Sequence, residues 1–117
     1  MTKTGYRADM VIDTSALIAI LLKEPEAAHL TTALVQAETK YISAANYLES
    51  AIVMFRRSGD EAMQLVDRLI AESGIGVVSV IPEQIEVACE AYRKFGKGRH
   101  PANLNFGHCF AYALAMW

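Results

Sequence analysis

The sequence predicts a single three-layer α/β/α domain with a parallel sheet. Short apolar runs typical of buried strands alternate with longer segments whose apolar residues recur at helical spacing, and this alternation favours parallel strands covered by helices on both faces. The chain has 117 residues, of which 53% are hydrophobic and 21% are charged. This composition excludes a disordered chain, and no repeat or linker divides the sequence.

The first third of the chain predicts one strand and two helices. MVID (10–13) is an apolar run that ends in an acid, which is typical of a buried strand, and the mostly apolar SALIAILL (15–22) is expected to be a helix. Pro25 fits the first turn of a second helix, since no intrahelical N–H is needed there. Apolar residues at helical spacing extend this helix to about Gln36.

The middle of the chain predicts a strand between helices. KYIS (40–43) is a short strand, and AANYLESAIVMF (44–55) is a helix so apolar that we expect it at the centre of the domain. Gly59-Asp60 is expected to break the chain and to cap the next helix. The apolar residues of that next helix recur at helical spacing up to Ile70.

The last third predicts one more strand and two helices. IGVVSV (75–80) is an apolar run expected of a strand. Pro82 begins a helix that Gly96 ends. After a loop at 96–104, Asn105 is a suitable cap for a final apolar helix.

Charge restricts the class of partner. The net charge is −2, but Arg93, Lys94, Lys97 and Arg99 place four of the eleven Lys and Arg residues in one locally basic segment. Such a segment fits nucleic-acid phosphates, and it also fits a solvated surface.

Composition also indicates the compartment. No apolar run is long enough to span a membrane, and residues 1–9 form a polar leader without the apolar stretch of a signal peptide. Cys89 and Cys109 lack metal-ligand spacing and are expected to be buried, reduced thiols. We therefore expect a cytoplasmic protein.

Asp13 is the first candidate for chemistry, because it ends the first predicted strand. Ligands of open parallel sheets bind beyond the carboxyl ends of the strands. Thr14 and Ser15 follow it as small hydroxyl residues at the turn into the helix. A plain helix cap explains one polar residue here, but it does not explain an acid at the end of a buried strand.

Glu49 is the second candidate, an acid on the most apolar helix. It could complete a capping box with Asn46, which lies three positions earlier. Ser43 is an equally good cap, so the box is not required. An acid on a largely buried helix needs a partner, and a bound cation is one.

His108 is the third candidate, at the third position of the final helix if Asn105 is the cap. The free N–H groups and the dipole of a helix start favour an acid at this position. A protonated imidazole would be disfavoured by the same field. A structural role and a functional role are both open for this residue.

Three segments are informative when the candidates are taken together: MVIDTSALIAILLKEPE, AANYLESAIV and GKGRHPANLNFGHCFAYALA. In this order and at these separations they closely resemble the PIN-domain ribonucleases of the VapC toxin family. The resemblance covers residues 10–117, which form the expected PIN-like domain. It implies the toxin of a type II toxin–antitoxin pair, an endoribonuclease that cleaves RNA phosphodiester bonds with Mg²⁺ or Mn²⁺ and is inhibited by a cognate antitoxin.

The resemblance implies roles for individual residues. Asp13 and Glu49 match the first two acids of the family, which are catalytic and bind the metal. Ser15, with Thr14 beside it, matches the small polar residue that supports this site. His108 stands where the family has a third metal-binding acid, so it is the third candidate ligand.

Further implications concern substrate binding and assembly. Next to such a site, Lys97 and Arg99 would contact the phosphates of the RNA substrate. In the family, a fourth acid and the last strands follow the helix that ends here near Trp117, so these last strands are missing from the sequence. The first strand would then have an unpaired edge, which is a template for pairing with another chain. We therefore expect a homodimer.

The departures from the family pattern predict a weakened metal site. Mg²⁺ prefers oxygen ligands, whereas His108 offers nitrogen, which suits Zn²⁺ or Mn²⁺ better. The lost acids favour a second hypothesis, a catalytically inactive PIN-like binding module that engages an antitoxin or a second subunit. A phosphotransferase of the haloacid-dehalogenase type is a third hypothesis, but such enzymes have a second Asp where this chain has Ser15.

Overall fold

A parallel sheet of three strands forms the centre of the described structure, in the spatial order β1-β2-β3. The structure is a computed structural model that describes residues 9–96, 98 and 104–116. Its elements in chain order are β1 (Asp9–Ile12), α1 (Thr14–Leu21), α2 (Ala27–Gln36), β2 (Thr39–Ser43), α3 (Ala44–Ser58), α4 (Asp60–Glu72), β3 (Gly76–Val78), α5 (Pro82–Phe95) and α6 (Phe106–Met116). None of these helices has the length and apolar character needed to cross a membrane. The predicted α/β class with a parallel sheet is confirmed.

Parallel pairing brings the carboxyl ends of the strands to one edge of the sheet. Ile12 of β1 lies opposite Ile42 of β2, and Ile42 lies opposite Val77 of β3. Asp13 and Ser43 directly follow the paired residues Ile12 and Ile42, so both lie at this edge. Open α/β sheets bind their ligands at such an edge.

Buried apolar side chains hold the helices on the sheet. Leu17 of α1, Ile42 of β2 and Val66 of α4 are each 0% exposed. Burying a side chain of this size contributes about 1.5–3 kcal/mol relative to leaving it in water. A smaller cluster packs α5 against α6 through Ala88 and Cys109. Burial of apolar residues on α1, α4 and α6 therefore fixes the helices that surround the edge.

The start of α2 differs from the sequence-based expectation, whereas the start of α4 agrees with it. The chain turns after α1 through Lys23, which has a φ of 54°, and Pro25 lies in this turn, so α2 begins only at Ala27. Gly59 has a φ of 82° and occupies the cap position of α4. The cap predicted at Gly59-Asp60 is thus Gly59, and Asp60 is the first helical residue. The left-handed conformation of Gly59, which glycine adopts at low cost, ends α3 and starts α4 at the same residue.

The two cysteines have different environments, although both are free. Cys109 is buried as predicted, and this burial raises the pKa of its thiol, so the thiolate is disfavoured. Cys89 is exposed, so the prediction of a buried thiol is wrong for this residue. The buried stripe of α5 runs through Ala88 and Ala91, and Cys89 lies beside that stripe.

The outer edge of β1 is unpaired within the part of the chain that the structure describes. In these residues β1 pairs with β2 alone. A groove of about 400 Å³ lies along this strand, and its lining includes Met10, Ile12 and Tyr112. The predicted unpaired edge is therefore present in the described residues. The predicted leader at 1–9 falls outside them except for Asp9, with which β1 begins.

Candidate active site

Asp13 lies at the carboxyl edge of the sheet and caps α1. Its Oδ1 accepts hydrogen bonds from the backbone N–H of Ala16 and from the hydroxyl of Ser15, both at 2.9 Å. The second carboxylate oxygen, Oδ2, faces Nε2 of His108 at 3.8 Å, and 27% of the Asp13 side chain is exposed. The capping role is real, but it uses one oxygen and leaves the other directed towards the start of α6.

Glu49 is held by a hydroxyl group and not by a helix cap. Its Oε1 accepts a hydrogen bond of 2.5 Å from the hydroxyl of Thr14. Ser43 caps α3, because its Oγ accepts from the backbone N–H of Ala45. Asn46 lies inside the helix, so the capping-box explanation of Glu49 is wrong. The carboxylate of Glu49 is directed across the edge of the sheet to α1.

His108 forms a reciprocal contact with the cap of its own helix. Its backbone N–H donates to Oδ1 of Asn105 at 2.9 Å, as predicted for a cap, and its Nδ1 faces the backbone N–H of Asn105 at 3.4 Å. The imidazole therefore occupies the place of the acid in a capping box. When Nδ1 accepts, the proton of the neutral ring is on Nε2, which faces Asp13.

A cleft of about 260 Å³ connects these residues. It is lined by Thr14, Ser15, Ile18, Glu24, Glu49, Asn105, Gly107 and His108. Asp13 adjoins the cleft through its contacts with Ser15 and His108. The structure thus brings the predicted acids and hydroxyl residues to one place, whereas Lys97 and Arg99 lie outside the described residues.

Sequence reasoning missed three residues of this site. Glu24 lines the cleft from the turn after α1, and no periodicity marks a turn residue as functional. Gly107 lies against Glu49, because a Cβ atom built on it would meet Oε1 of Glu49 at 2.3 Å. Asn46 donates to both Thr14 and Gly107. Its spacing from Glu49, three residues on one helix, could have indicated a shared face.

The site offers few oxygen donors for a divalent ion. Among the described residues, no group of three or more His, Cys, Asp and Glu side chains is placed to hold a metal. Mg²⁺ commonly binds to one or two carboxylates and keeps several waters. Asp13 and Glu49 supply two carboxylates. Coordination by Nε2 of His108 would require its ring proton to move to Nδ1, and would therefore compete with the contact to Asn105.

The chain is similar to known proteins over nearly its whole length. Residues 10–116 match the family model of the PIN domain. The chain is 46% identical over 106 residues to Ribonuclease VapC of Mycolicibacterium smegmatis, covering 91% of this chain and 82% of that protein. It is 42% identical to Ribonuclease VapC30 of Mycobacterium tuberculosis, covering 91% and 81%. It is 45% identical to Ribonuclease VapC42 of the same species, covering 92% and 82%.

A solved structure has a similar fold. The crystal structure of Mycobacterium tuberculosis VapC20, a toxin that cleaves the sarcin–ricin loop, superposes with a TM-score of 0.69 at 16% identity. The superposition covers 92% of this chain and 81% of that chain. The likeness shows that the two chains share an overall fold.

The close contact at Gly107 predicts a selective defect. In Gly107→Ala the new methyl group would lie 2.3 Å from Oε1 of Glu49, which is the end of a flexible side chain and can move aside. We expect the variant to fold but to bind Mn²⁺ about tenfold more weakly, as when a group that orients a ligand is lost. Calorimetric titration with Mn²⁺ and thermal melting measure the two effects.

Gly76→Ala is the matched control for this prediction. It adds the same methyl group on β3, where the nearest atom is a ring carbon of Tyr41 at 3.3 Å. Its Mn²⁺ affinity should equal that of the unaltered chain. Equal affinity in Gly107→Ala would contradict the idea that this glycine makes room for Glu49.

Proposed function

Because the chain belongs to the VapC ribonucleases of the PIN-domain family, we propose that it is the RNA-cleaving toxin of a type II toxin–antitoxin pair. The reaction is the hydrolysis of RNA phosphodiester bonds. The observation that carries the proposal is that Asp13 and Glu49 both lie near the carboxyl edge of the sheet, Glu49 lining the cleft and Asp13 adjoining it, each held by a neighbouring hydroxyl group.

The residues of the cleft have distinct roles in this proposal. Asp13 and Glu49 hold a divalent cation, Mg²⁺ or Mn²⁺. Ser15 and Thr14 keep the two carboxylates in place by donating one hydrogen bond to each. A bound divalent ion supplies an activated water and neutralises charge on the phosphate. The two carboxylates are thus the catalytic residues.

RNA binding is assigned to the basic segment 93–99. Phosphate contacts from Lys and Arg dominate affinity for nucleic acids. We propose that Lys97 and Arg99 provide such contacts. Arg93 and Lys94 are exposed at the end of α5 and pair with Glu90. They add positive charge to the same segment, although the ion pairs reduce it.

Partners and compartment follow from the same proposal. A toxin of this type acts on RNA in the cytoplasm and is held inactive by a cognate antitoxin. The family match gives no support to the phosphotransferase hypothesis. A catalytically inactive binding module is the second candidate, and the contact of His108 with Asn105 and Asp13 favours it, because a capping imidazole occupies the place of an acidic ligand.

Asp13→Asn tests the assignment of the catalytic acid. Asn caps a helix as well as Asp does, so the fold should be retained while the charge is lost. We expect Mn²⁺-dependent cleavage of single-stranded RNA to fall by more than about 100-fold, beyond the effect of an outer partner of a metal site. Asp60→Asn, at the exposed start of α4, is the control and should remain active. Unchanged Mn²⁺ binding in Asp13→Asn would refute the assignment.

His108→Asp tests the proposed weakness towards Mg²⁺. The new carboxylate can still accept from the N–H of Asn105 and suits the helix dipole, and it adds an oxygen ligand. We expect Mg²⁺-dependent cleavage to rise at least about tenfold. The melting temperature in Mg²⁺ should exceed the melting temperature in EDTA, and this difference should be larger for His108→Asp than for the unaltered chain. His29→Asp, on the exposed face of α2, is the control.

The outcome of the His108→Asp comparison also separates the two candidate functions. In one outcome the unaltered chain cleaves RNA robustly with Mg²⁺, loses this activity in EDTA and gains nothing from the substitution. That result would contradict the proposal that His108 weakens the site towards Mg²⁺. No cleavage by either chain with Mg²⁺ or Mn²⁺ would favour the binding module.

The unpaired edge of β1 predicts self-association. Exposed strand edges pair with other chains, so we propose that the protein forms a homodimer. Light scattering after size-exclusion chromatography at micromolar concentration should give twice the 12.9 kDa mass of the chain. Val11→Lys on β1 should shift the protein towards the monomer, whereas Val77→Lys on the opposite edge strand β3 should not. A strictly monomeric unaltered chain with a cooperative melt would contradict this proposal.

A further inference from the structure

Asn46 is a fully buried polar residue at the junction of three helices. Its side chain is 0% exposed. From α3, its Nδ2 donates to the hydroxyl of Thr14 on α1 at 3.1 Å and to the carbonyl oxygen of Gly107 on α6 at 2.9 Å. These partners are 32 and 61 residues away in the sequence. Because each amide hydrogen has its own acceptor, the orientation of the amide group is determined.

The hydrogen bond from Asn46 determines what the hydroxyl of Thr14 does. A hydroxyl group has one proton and two lone pairs. Since one lone pair of Thr14 Oγ1 accepts from Asn46, its proton is free for Oε1 of Glu49 at 2.5 Å, a shorter contact than the 3.4 Å to the carbonyl oxygen of Asn46. The amide of Asn46 thus orders the group that holds the carboxylate of Glu49.

The second hydrogen bond of Asn46 acts on the same carboxylate from the other side. It ties Asn46 to the carbonyl of Gly107, and the Cα of Gly107 lies against Oε1 of Glu49 with no room for a Cβ atom. A displacement of α6 would therefore push or release Glu49. The side chain of Asn46 thus fixes both the hydroxyl group that donates to Glu49 and the position of Gly107, which packs against Glu49.

The remaining polar atom of Asn46 lowers the stability of this network. Among the described residues, its Oδ1 is buried without a hydrogen-bond partner. A buried acceptor left unpaired lowers stability. The two hydrogen bonds donated by Asn46 therefore come with a cost in stability, which an apolar residue would exchange for the loss of the hydrogen bond to the carbonyl oxygen of Gly107.

We propose that Asn46 is a positioning residue of the active site, which sets the location of the Glu49 carboxylate through Thr14 and Gly107. This inference rests on the proposed ribonuclease function. Asn46 does not line the cleft, so it acts only through its neighbours. Its loss weakens divalent-ion binding by Glu49 and lowers kcat, and it leaves the KM for RNA unchanged.

Two substitutions of Asn46 separate positioning from folding. Asn46→Ala removes both donors and leaves a cavity. Asn46→Leu also removes both donors, but its branched side chain fills the space and eliminates the unpaired acceptor. We expect both variants to bind Mn²⁺ about tenfold more weakly by calorimetry, which is the effect of losing an outer partner of a metal ligand. Thermal melting in EDTA should show a loss of stability for both variants, since both remove the hydrogen bond to the carbonyl oxygen of Gly107, and a larger loss for the Ala variant, which also leaves a cavity.

Ser50→Ala is the matched control for these variants. Ser50 is also 0% exposed on α3, and its hydroxyl donates to the carbonyl oxygen of Asn46 at 2.8 Å. The substitution removes a buried hydrogen bond beside the network but leaves the link to Glu49 intact. We expect a lower melting temperature with unchanged affinity for Mn²⁺.

A double substitution tests whether Asn46 acts through Thr14. Thr14→Val alone should weaken Mn²⁺ binding about tenfold, because it removes the donor to Glu49. Because Asn46→Leu also releases Gly107, the double variant Thr14→Val/Asn46→Leu should lose somewhat more than about tenfold but clearly less than the product of the two single effects. Independent effects would multiply to about a hundredfold, and that result would overturn the proposed route through Thr14.

The results for the unaltered chain distinguish the two levels of the proposal. If it binds no Mn²⁺ and cleaves no RNA, the proposed function is overturned, and this inference with it. If it binds Mn²⁺ and both Asn46 variants bind equally well, only the positioning role is overturned. Weaker binding by both variants, with unchanged affinity in Ser50→Ala, is the expected result.

Discussion

The start of α6 lies so close to the side chain of Glu49 that residue 107 has no space for a Cβ atom. This approach of a helix end to a carboxylate determines the geometry of the whole cleft. It brings His108 within 3.8 Å of Asp13 and places the carbonyl of Gly107 within reach of Asn46. With a larger residue at position 107, either α6 or Glu49 would have to move.

Two demands meet at His108. The start of α6 needs an acceptor for the N–H of Asn105, and the imidazole provides one through Nδ1. A site that binds a hard divalent ion needs negative oxygen ligands, and the imidazole provides none. An aspartate would meet both demands. The histidine preserves the helix start and places no carboxylate at this position of the cleft, so it serves the local structure but not the proposed metal binding.

Apolar and polar burial serve different parts of the molecule. The fully buried apolar residues Leu17, Ile42 and Val66 hold the helices on the sheet. The buried residues Ser43 and Asn46 are polar and lie at the start of α3, next to the cleft. Buried polar groups lower stability unless they are paired; here all but Oδ1 of Asn46 form hydrogen bonds, to α1, α3 and α6. Near the site, the buried side chains therefore hold polar groups in a fixed arrangement, whereas in the core they bury apolar surface.

The sequence by itself determined the order of strands and helices, the α/β class and the cap Asn105, because these depend on neighbouring residues and on periodicity. It left the cap of α3 open between Ser43 and Asn46, and the structure selects Ser43. It also indicated Asp13 and Glu49, since an acid is unusual at the end of a buried strand or on an apolar helix. The partner of Glu49, the role of Asn46 and the need for glycine at 107 were decided by the tertiary structure. These contacts join residues 32 to 61 positions apart, and no local pattern reports the distance between two helices that only packing brings together.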